Sequence, residues 1–431
     1  MGKKRIIILG AGLAGLSAAW HLQKKGIECL VLEKENEVGG LCRSKNINGF
    51  TFDYSGHLLH FRHKYTFNFV RNLLGGNLVR HKRNSWVYSH NRYIPYPFQA
   101  NLHKLPSSAA KECLSGFIQA SKNNHCKKNG NFLSWINQTF GEGIAKHFMV
   151  PYNTKFWTVP PQELTCEWLD GFIPVPSPAQ VIKGATRKNN QQFGYNAQFW
   201  YPKRGGINQL ALAFAGQIKN IYTDCQITKI SLAKKEIKIN SGNKEKFDYL
   251  ILTIPLPEMP SLIKGLPKQA LSLFRKLKWN SILNFNLGLE NNDSSGRHWI
   301  YFSQKDICFF RIGFFHNFSR SAASSGKASL YVEISYSKDK PLDSKNDIAV
   351  NIKNDLKKIG MLQDYKDIAT WDVNDLEYGY PIYNKDYGWT REEILKYLRL
   401  NNIIPCGRYG SWRYLSMEDT ILDGKRAAEL F

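Results

Sequence analysis

Gly10, Gly12 and Gly15 stand at the spacing GxGxxG, directly after an apolar run at 5 to 9 (RIIIL) and at the head of a stretch, 14 to 25, with helical periodicity. Glycine first permits a tight turn, second lets the backbone approach a pyrophosphate, and third lets helix and strand pack closely. The helix N-terminus then faces the negative charge. Glu33 closes a second apolar run, 28 to 33, at the distance where a carboxylate accepts hydrogen bonds from ribose hydroxyls. This is the chemistry of a dinucleotide site. A second group lies in PYNTKFWTVPPQEL, residues 151 to 164, where three aromatic rings, an amide and an ammonium suit a flat, polar ligand. A third is Arg311, set in the apolar run CFFRIGFF, where a guanidinium requires an anionic partner.

These groups need elements to hold them. The runs 5 to 9 and 28 to 33 with the helix between them predict a βαβ unit. The apolar runs YLILTI (249 to 254) and IIPCG (403 to 407) predict strands that complete the same sheet, the first after a hairpin, KIN-SGNK-EKF. From about 100 to 150 apolar residues recur at three- and four-residue intervals and predict helices. From about 278 to 380, alternating runs such as ILNFNLGLE and SLYVEISY predict an antiparallel sheet with one wet face. A C-terminal helix is expected to start near Asp419.

The 431 residues suggest about two to three interleaved domains. No segment has the ~18 consecutive apolar residues of a membrane-spanning helix, and Gly10 comes too early for a signal peptide, so a cytoplasmic protein is expected. Eight cysteines without a CxxC pair or zinc-like spacing read as reduced thiols, with no structural metal. The formal net charge of +24 favours polyanions, nucleotide phosphates or peripheral association with acidic surfaces; no nucleic-acid-binding motif accompanies it.

Gly39-Gly40-Leu41-Cys42-Arg43-Ser44, just after the second strand, resembles the extended signature of FAD enzymes of the amine oxidase and glutathione reductase superfamily. Cys406-Gly407-Arg408 resembles the last FAD-binding segment of that superfamily. The resemblance implies FAD, with Gly10, Gly12, Gly15, Glu33, Gly39, Gly40, Arg43, Gly56, His57, Gly407, Arg408, Asp419 and Thr420 at the cofactor. It also implies an α/β fold in which a Rossmann-like FAD-binding domain carries an inserted helical domain and an antiparallel sheet domain. The expected division is 1–70, 196–255 and 396–431 for the FAD-binding parts, 71–195 for a mostly helical substrate-side insertion and 256–395 for the sheet.

The run 151 to 160 is similar to the substrate-side segment of UDP-galactopyranose mutases, especially the eukaryotic type. Gly56-His57 with His60 and His63, Pro95 to Gln99, Asn196, Tyr201 to Gly206, Trp299 to Tyr301, Tyr378 to Pro381 and Gly407 to Tyr414 agree in order. That family interconverts pyranose and furanose forms of a nucleotide sugar, with reduced FAD attacking the anomeric carbon through N5 and no net redox change. The resemblance implies Arg311 as a diphosphate clamp and Tyr301, Tyr380 and Tyr414 as hydroxyl donors. Tyr152, Trp157 and Trp299 would shape the cleft, Gln99, Asn153 and Asn196 would bind substrate, and His57 would stand beside the flavin. Arg311, His57, Tyr380 and Tyr414 form the expected catalytic set. NAD(P)H or a reductase would reduce the flavin.

One departure stands out. Eukaryotic mutases read W-L-G-x-R where this chain has Trp168-Leu169-Asp170-Gly171-Phe172, so a diphosphate-binding cation is missing. Lys183 or Arg187 could replace it, or the substrate could differ from UDP-galactose. A loop at 183 to 198 could close over the substrate. Two other readings stay open: a flavin oxidase or desaturase of the amine oxidase and protoporphyrinogen oxidase type, and a flavin-bound assembly protein without turnover.

Overall fold

The computed structural model describes residues 4–122, 130–169, 171–189, 191, 193–291 and 295–431, so that Met1, Gly2, Cys126, Asp170, Asn190 and Gln192 lie outside the described residues. The strand Ile6–Leu9 has every side chain buried and lies at the centre of a five-stranded parallel sheet. It pairs with Cys29–Leu32 on one side (Ile6 opposite Cys29) and Tyr249–Leu252 on the other (Ile6 opposite Tyr249). Ile403–Pro405 extends the sheet beyond Tyr249–Leu252, and Ile221–Tyr222 forms the opposite edge. Runs of branched aliphatics suit strands covered on both faces. The strands expected at 249 to 254 and 403 to 407 thus join the first two, although they are far apart in sequence. The predicted hairpin also forms: Glu236–Ile239 pairs antiparallel with Lys244–Lys246, beside Ile227–Ser231.

The helix Leu13–Lys24 crosses over this sheet and lies against the C-terminal helix Met417–Glu429. A Cβ on Gly424 would stand 2.5 Å from the Ala14 carbonyl oxygen, so the two helices touch backbone to backbone.

The larger sheet has seven strands, in the order Ile368–Pro381, Trp279–Leu289, Ala328–Tyr336, Arg311–Phe314, Trp299–Phe302, Ser85–Ser89 and Arg92–Pro95. Expectation and structure differ here. The sheet is mixed, because Trp299–Phe302 pairs parallel with Ser85–Ser89, and its last two strands come from the stretch read as mostly helical. The cause is local: His90 and Asn91 both take positive φ (53° and 54°), a two-residue turn whose twist matches the flanking strands. Within 71–195 the helices are Ser107–Lys122, Phe132–Ile144, Val150–Trp157 and Pro178–Thr186.

Candidate active site

At the end of the first strand Gly10 takes φ of 100°, and a Cβ on Gly15 would stand 2.0 Å from the Gly10 carbonyl oxygen. Only glycine allows this turn. The helix that follows begins at Gly12 without a side-chain cap and without an acidic residue in its first turn. Its leading N–H groups and dipole suit an anion such as a pyrophosphate. The second glycine pair closes the other side of the cradle: Gly39 N donates to Ala11 O at 2.9 Å, and a Cβ on Gly40 would press to 3.3 Å from Gly12 Cα. Glu33 is buried, its Oε2 accepting from Ala11 N at 2.7 Å and its Oε1 from Glu35 N at 3.1 Å. Arg43 secures the same turn, Nε donating to Gly40 O at 2.8 Å, while Nη1 meets Glu35 at 3.3 Å and the guanidinium covers the Tyr54 ring. A bare helix N-terminus, a glycine cradle and a fixed carboxylate fit a dinucleotide.

The C-terminal segment differs in detail from expectation. The last helix begins at Met417, three residues before Thr420, because Ser416 caps it in a reciprocal box with Asp419. Asp419 Oδ2 accepts from Ser416 N at 3.0 Å and its Oδ1 pairs with Arg62, while Thr420 Oγ1 donates to Ser416 O at 2.8 Å. Both side chains, expected at the cofactor, are engaged in the cap. Gly407, with φ of 75°, donates its N–H to Asp423 at 2.7 Å.

Arg408, expected at the cofactor, extends to the tyrosines. Its guanidinium lies 4.4 Å from the Tyr380 ring centroid and 5.1 Å from that of Tyr414, and Nη2 donates to Gly379 O at 3.1 Å. Tyr380 and Tyr414 stand 5.4 Å apart, and Phe172 meets Tyr414 edge-on at 4.7 Å. The wall continues along the helix Val150–Trp157 and the π-helical turn before it, where Phe148, Tyr152 and Phe156 stack at four-residue spacing. Tyr152 meets Tyr301 at 5.4 Å, Tyr301 meets Tyr96 at 5.4 Å, and Arg83 covers Tyr96 at 4.6 Å. Arg83 also binds Asn196 Oδ1 and donates to Phe193 O at 2.6 Å. Tyr195 joins Phe172 to His60.

Other members of the aromatic run are held by different contacts, although the Trp157 ring still meets Tyr380 edge-on at 6.0 Å. Lys155 donates to the carbonyls of Gln304, Ile307 and Phe309 and so ties the helix to the sheet. Asn153 is buried with Nδ2 on Met149 O at 2.7 Å, and Trp157 packs edge-on against Trp168. Gln99 is buried with Nε2 on Pro174 O at 2.6 Å, and Trp299 is buried against Phe199. Lys183 and Arg187 are exposed.

Arg311 has its anion within the protein. Glu333, 1% exposed and directly opposite on the next strand, takes Arg311 Nη2 on Oε1 at 2.9 Å and Nε on Oε2. Ser55 Oγ also donates to Glu333. His57, two residues on, places Nδ1 3.1 Å from Ser55 O; burial pushes its pKa down to about 4, so the ring is neutral at pH 7. Gly56 lies against Tyr331, whose hydroxyl would be 2.0 Å from a Cβ there. Sequence reasoning assigned no role to Arg83, Tyr96, Tyr195 or Glu333. Glu333 carried a signal as the single charge in SLYVEISY, and Tyr96 as a member of the matching segment Pro95 to Gln99.

A sequence profile of flavin-containing amine oxidoreductases matches residues 13–430. The chain belongs to that family. FAD is its cofactor, in keeping with the fit of the glycine cradle, and the fold is the mixed α/β architecture of this flavin family. Among solved structures, reduced UDP-galactopyranose mutase is similar at 28% identity and a TM-score of 0.93, over 99% of this chain and 95% of that one. A putative protoporphyrinogen oxidase from Exiguobacterium sp. 255-15 shares the fold at 16% identity and a TM-score of 0.77, over 100% and 99% of the two chains. UDP-galactopyranose mutase of Mycoplasma pneumoniae is 25% identical over 239 residues, 54% of this chain and 57% of that protein. The chain spans about half the length, or less, of the curated relatives it matches first. No helix among the described residues is long and apolar enough to cross a membrane.

Proposed function

We propose that this amine oxidoreductase relative is an isomerase of the UDP-galactopyranose mutase type, interconverting pyranose and furanose forms of a nucleotide sugar without net redox change. The observation that carries the reading is the 28% identity with reduced UDP-galactopyranose mutase, sustained over 99% of the chain at a TM-score of 0.93.

Reduced FAD would supply the nucleophile for the anomeric carbon. The chain's own residues do the rest. Gly10, Gly12, Gly15, Gly39 and Gly40, with Glu33, hold the cofactor. Arg408, whose buried Nε has no acceptor among the described residues, binds the diphosphate with the hydroxyls of Tyr380 and Tyr414. It thereby replaces the cation lost at Phe172 better than the exposed Lys183 or Arg187 would. Arg83, Tyr96, Tyr152 and Tyr301 line the sugar and nucleotide side, and their packed rings exclude water from the departing dianion. Neutral His57 donates or accepts a hydrogen bond near the flavin without adding charge. Arg311, its charge balanced by Glu333, orients the tyrosines. Reduction by NAD(P)H or a reductase, and a cytoplasmic location where nucleotide sugars are made, accompany this reading.

The test is incubation of dithionite-reduced protein with a panel of UDP-, CDP-, GDP- and dTDP-sugars, separating pyranose from furanose by chromatography. Conversion of one of them identifies the substrate. Failure across the panel with flavin intact, together with peroxide formation from amine or porphyrinogen substrates, would assign the chain to the oxidases instead.

A further inference from the structure

The positive charge is not evenly distributed. No Asp or Glu occurs between Asp53 and Glu112, or between Asp170 and Asp224. The fold brings these two stretches together. Val79–Lys82 pairs antiparallel with Gln198–Tyr201, Arg83 N donates to Ala197 O at 3.0 Å, and Asn77 exchanges hydrogen bonds with the Arg204 backbone at 3.0 and 3.1 Å. Farther along, Asn189 N donates to Asn101 at 3.2 Å and His103 Nδ1 stands 3.3 Å from Gly184 O. The two stretches without acidic residues are thus joined at both ends. Arg80, Lys82, Lys183, Arg187, Lys188 and Arg204 are exposed on them, and Arg80, His81, Lys82 and Gln198 line a hollow. Two aliphatic side chains of the second stretch are exposed, Val175 at 58% and Ile182, next to Lys183, at 46%.

We propose that these joined stretches dock the protein on an anionic lipid surface. Each cation held within a Debye length of acidic headgroups adds attraction, and Val175 and Ile182 are placed to enter the interfacial layer between them. A polynucleotide fits less well, since stacking needs open rings: Phe193 and Phe199 are buried, and the half-buried Tyr195 and Trp200 already pack on Phe172 and Phe67. Phe172 precedes Val175 closely in the chain and touches Tyr414, so docking brings headgroups to the edge of the tyrosine wall. This inference is independent of the reaction catalysed.

The full chain with FAD bound is mixed with phosphatidylcholine vesicles and with vesicles containing phosphatidylglycerol, and the bound fraction is read by sedimentation. Binding is expected to the anionic vesicles alone, weakening strongly between about 0.1 M and about 1 M salt. Combined Lys183→Glu, Arg187→Glu and Lys188→Glu should lower the partition coefficient on the order of 100-fold. The same reversal at Lys234, Lys235 and Lys238, exposed on the small three-stranded sheet, should change it little. Retained flavin absorbance reports folding of each variant, and the lipid and salt comparison on the unmodified chain stands without them. Ile182→Ser should weaken vesicle binding several-fold and leave heparin binding unchanged. Equal binding to neutral vesicles, no binding, equal loss from the distant reversal, or tighter binding to single-stranded RNA that ignores Ile182→Ser would each overturn the proposal.

Discussion

Arg311 and Glu333 face each other across adjacent antiparallel strands, the guanidinium engaging both carboxylate oxygens of a side chain that is 1% exposed. The pair is an internal brace that engages Nε and Nη2 of the guanidinium. Removing one partner from a buried pair leaves the other charge uncompensated, so Glu333→Gln is expected to cost about 3–5 kcal/mol of stability. Urea denaturation of the FAD-loaded protein measures this directly. A loss under about 1 kcal/mol would mean that Arg311 draws its counter-charge from elsewhere.

The glycine cradle makes a sharper demand. A methyl group on Gly15 would penetrate the Gly10 carbonyl oxygen, and that contact is backbone on both sides, so no rotamer relieves it. Gly15→Ala should shift the first helix off the sheet, costing at least about 1–3 kcal/mol, and weaken FAD retention. Flavin absorbance after gel filtration is the measurement; full retention would contradict the packing described.

Four strands of the parallel sheet were legible because they are short, apolar and bounded by glycine or helix, and burial on both faces leaves no other pattern for runs such as Ile6–Leu9; the two-residue edge strand Ile221–Tyr222, half-exposed, carries no such run. The strand pair 85–95 was not, since its aromatic alternation is interrupted by His90 and Asn91 rather than by a glycine turn. The last helix, expected near Asp419, starts at Met417 because the Ser416–Asp419 capping box fixes its first turn. In the site Arg311 could be selected by type, as a guanidinium in an apolar run, and the tyrosines by the resemblance. Their contacts could not, because Arg408 reaches Tyr380 only once strands from separate regions share a core. Register between strands, which joins Arg311 to Glu333, is a property of the folded sheet and not of either segment.

His298 provides a pH-dependent term. Its Nδ1 accepts from Asn84 N at 2.9 Å, so protonation there breaks a buried hydrogen bond, and burial with His81 nearby pushes its pKa down to about 3. The unfolded value is near 6.5, so the native state binds fewer protons between the two. This stability is fully present above about pH 6.5 and is lost progressively as pH falls toward 3, with His57, depressed to about 4, acting in the same direction. The melting temperature should therefore fall between pH 7 and pH 4.5, and less steeply in His298→Asn. An equal slope in both proteins would remove His298 from the account.

Arg408 makes the most specific demand on the proposed reaction. Its guanidinium lies over the rings of Tyr380, Tyr414 and Tyr409, is fixed by the Gly379 carbonyl, and keeps a buried Nε without an acceptor among the described residues. A charge-assisted hydrogen bond to a diphosphate is worth about 1.5–3 kcal/mol, so Arg408→Ala should raise KM about 10- to 100-fold for the nucleotide sugar that the panel identifies. Arg408→Lys should recover little, since a lysine has neither the planar fork nor the stacking surface. If KM is unchanged while kcat falls, the residue acts on the cofactor side, as its place after Cys406-Gly407 first suggested. A Phe172→Arg variant then separates the two cases: where Arg408 already binds the diphosphate, a second cation beside Tyr414 tightens binding only modestly, and where it does not, the new cation lowers KM by about the full 10-fold or more that one such bond supplies.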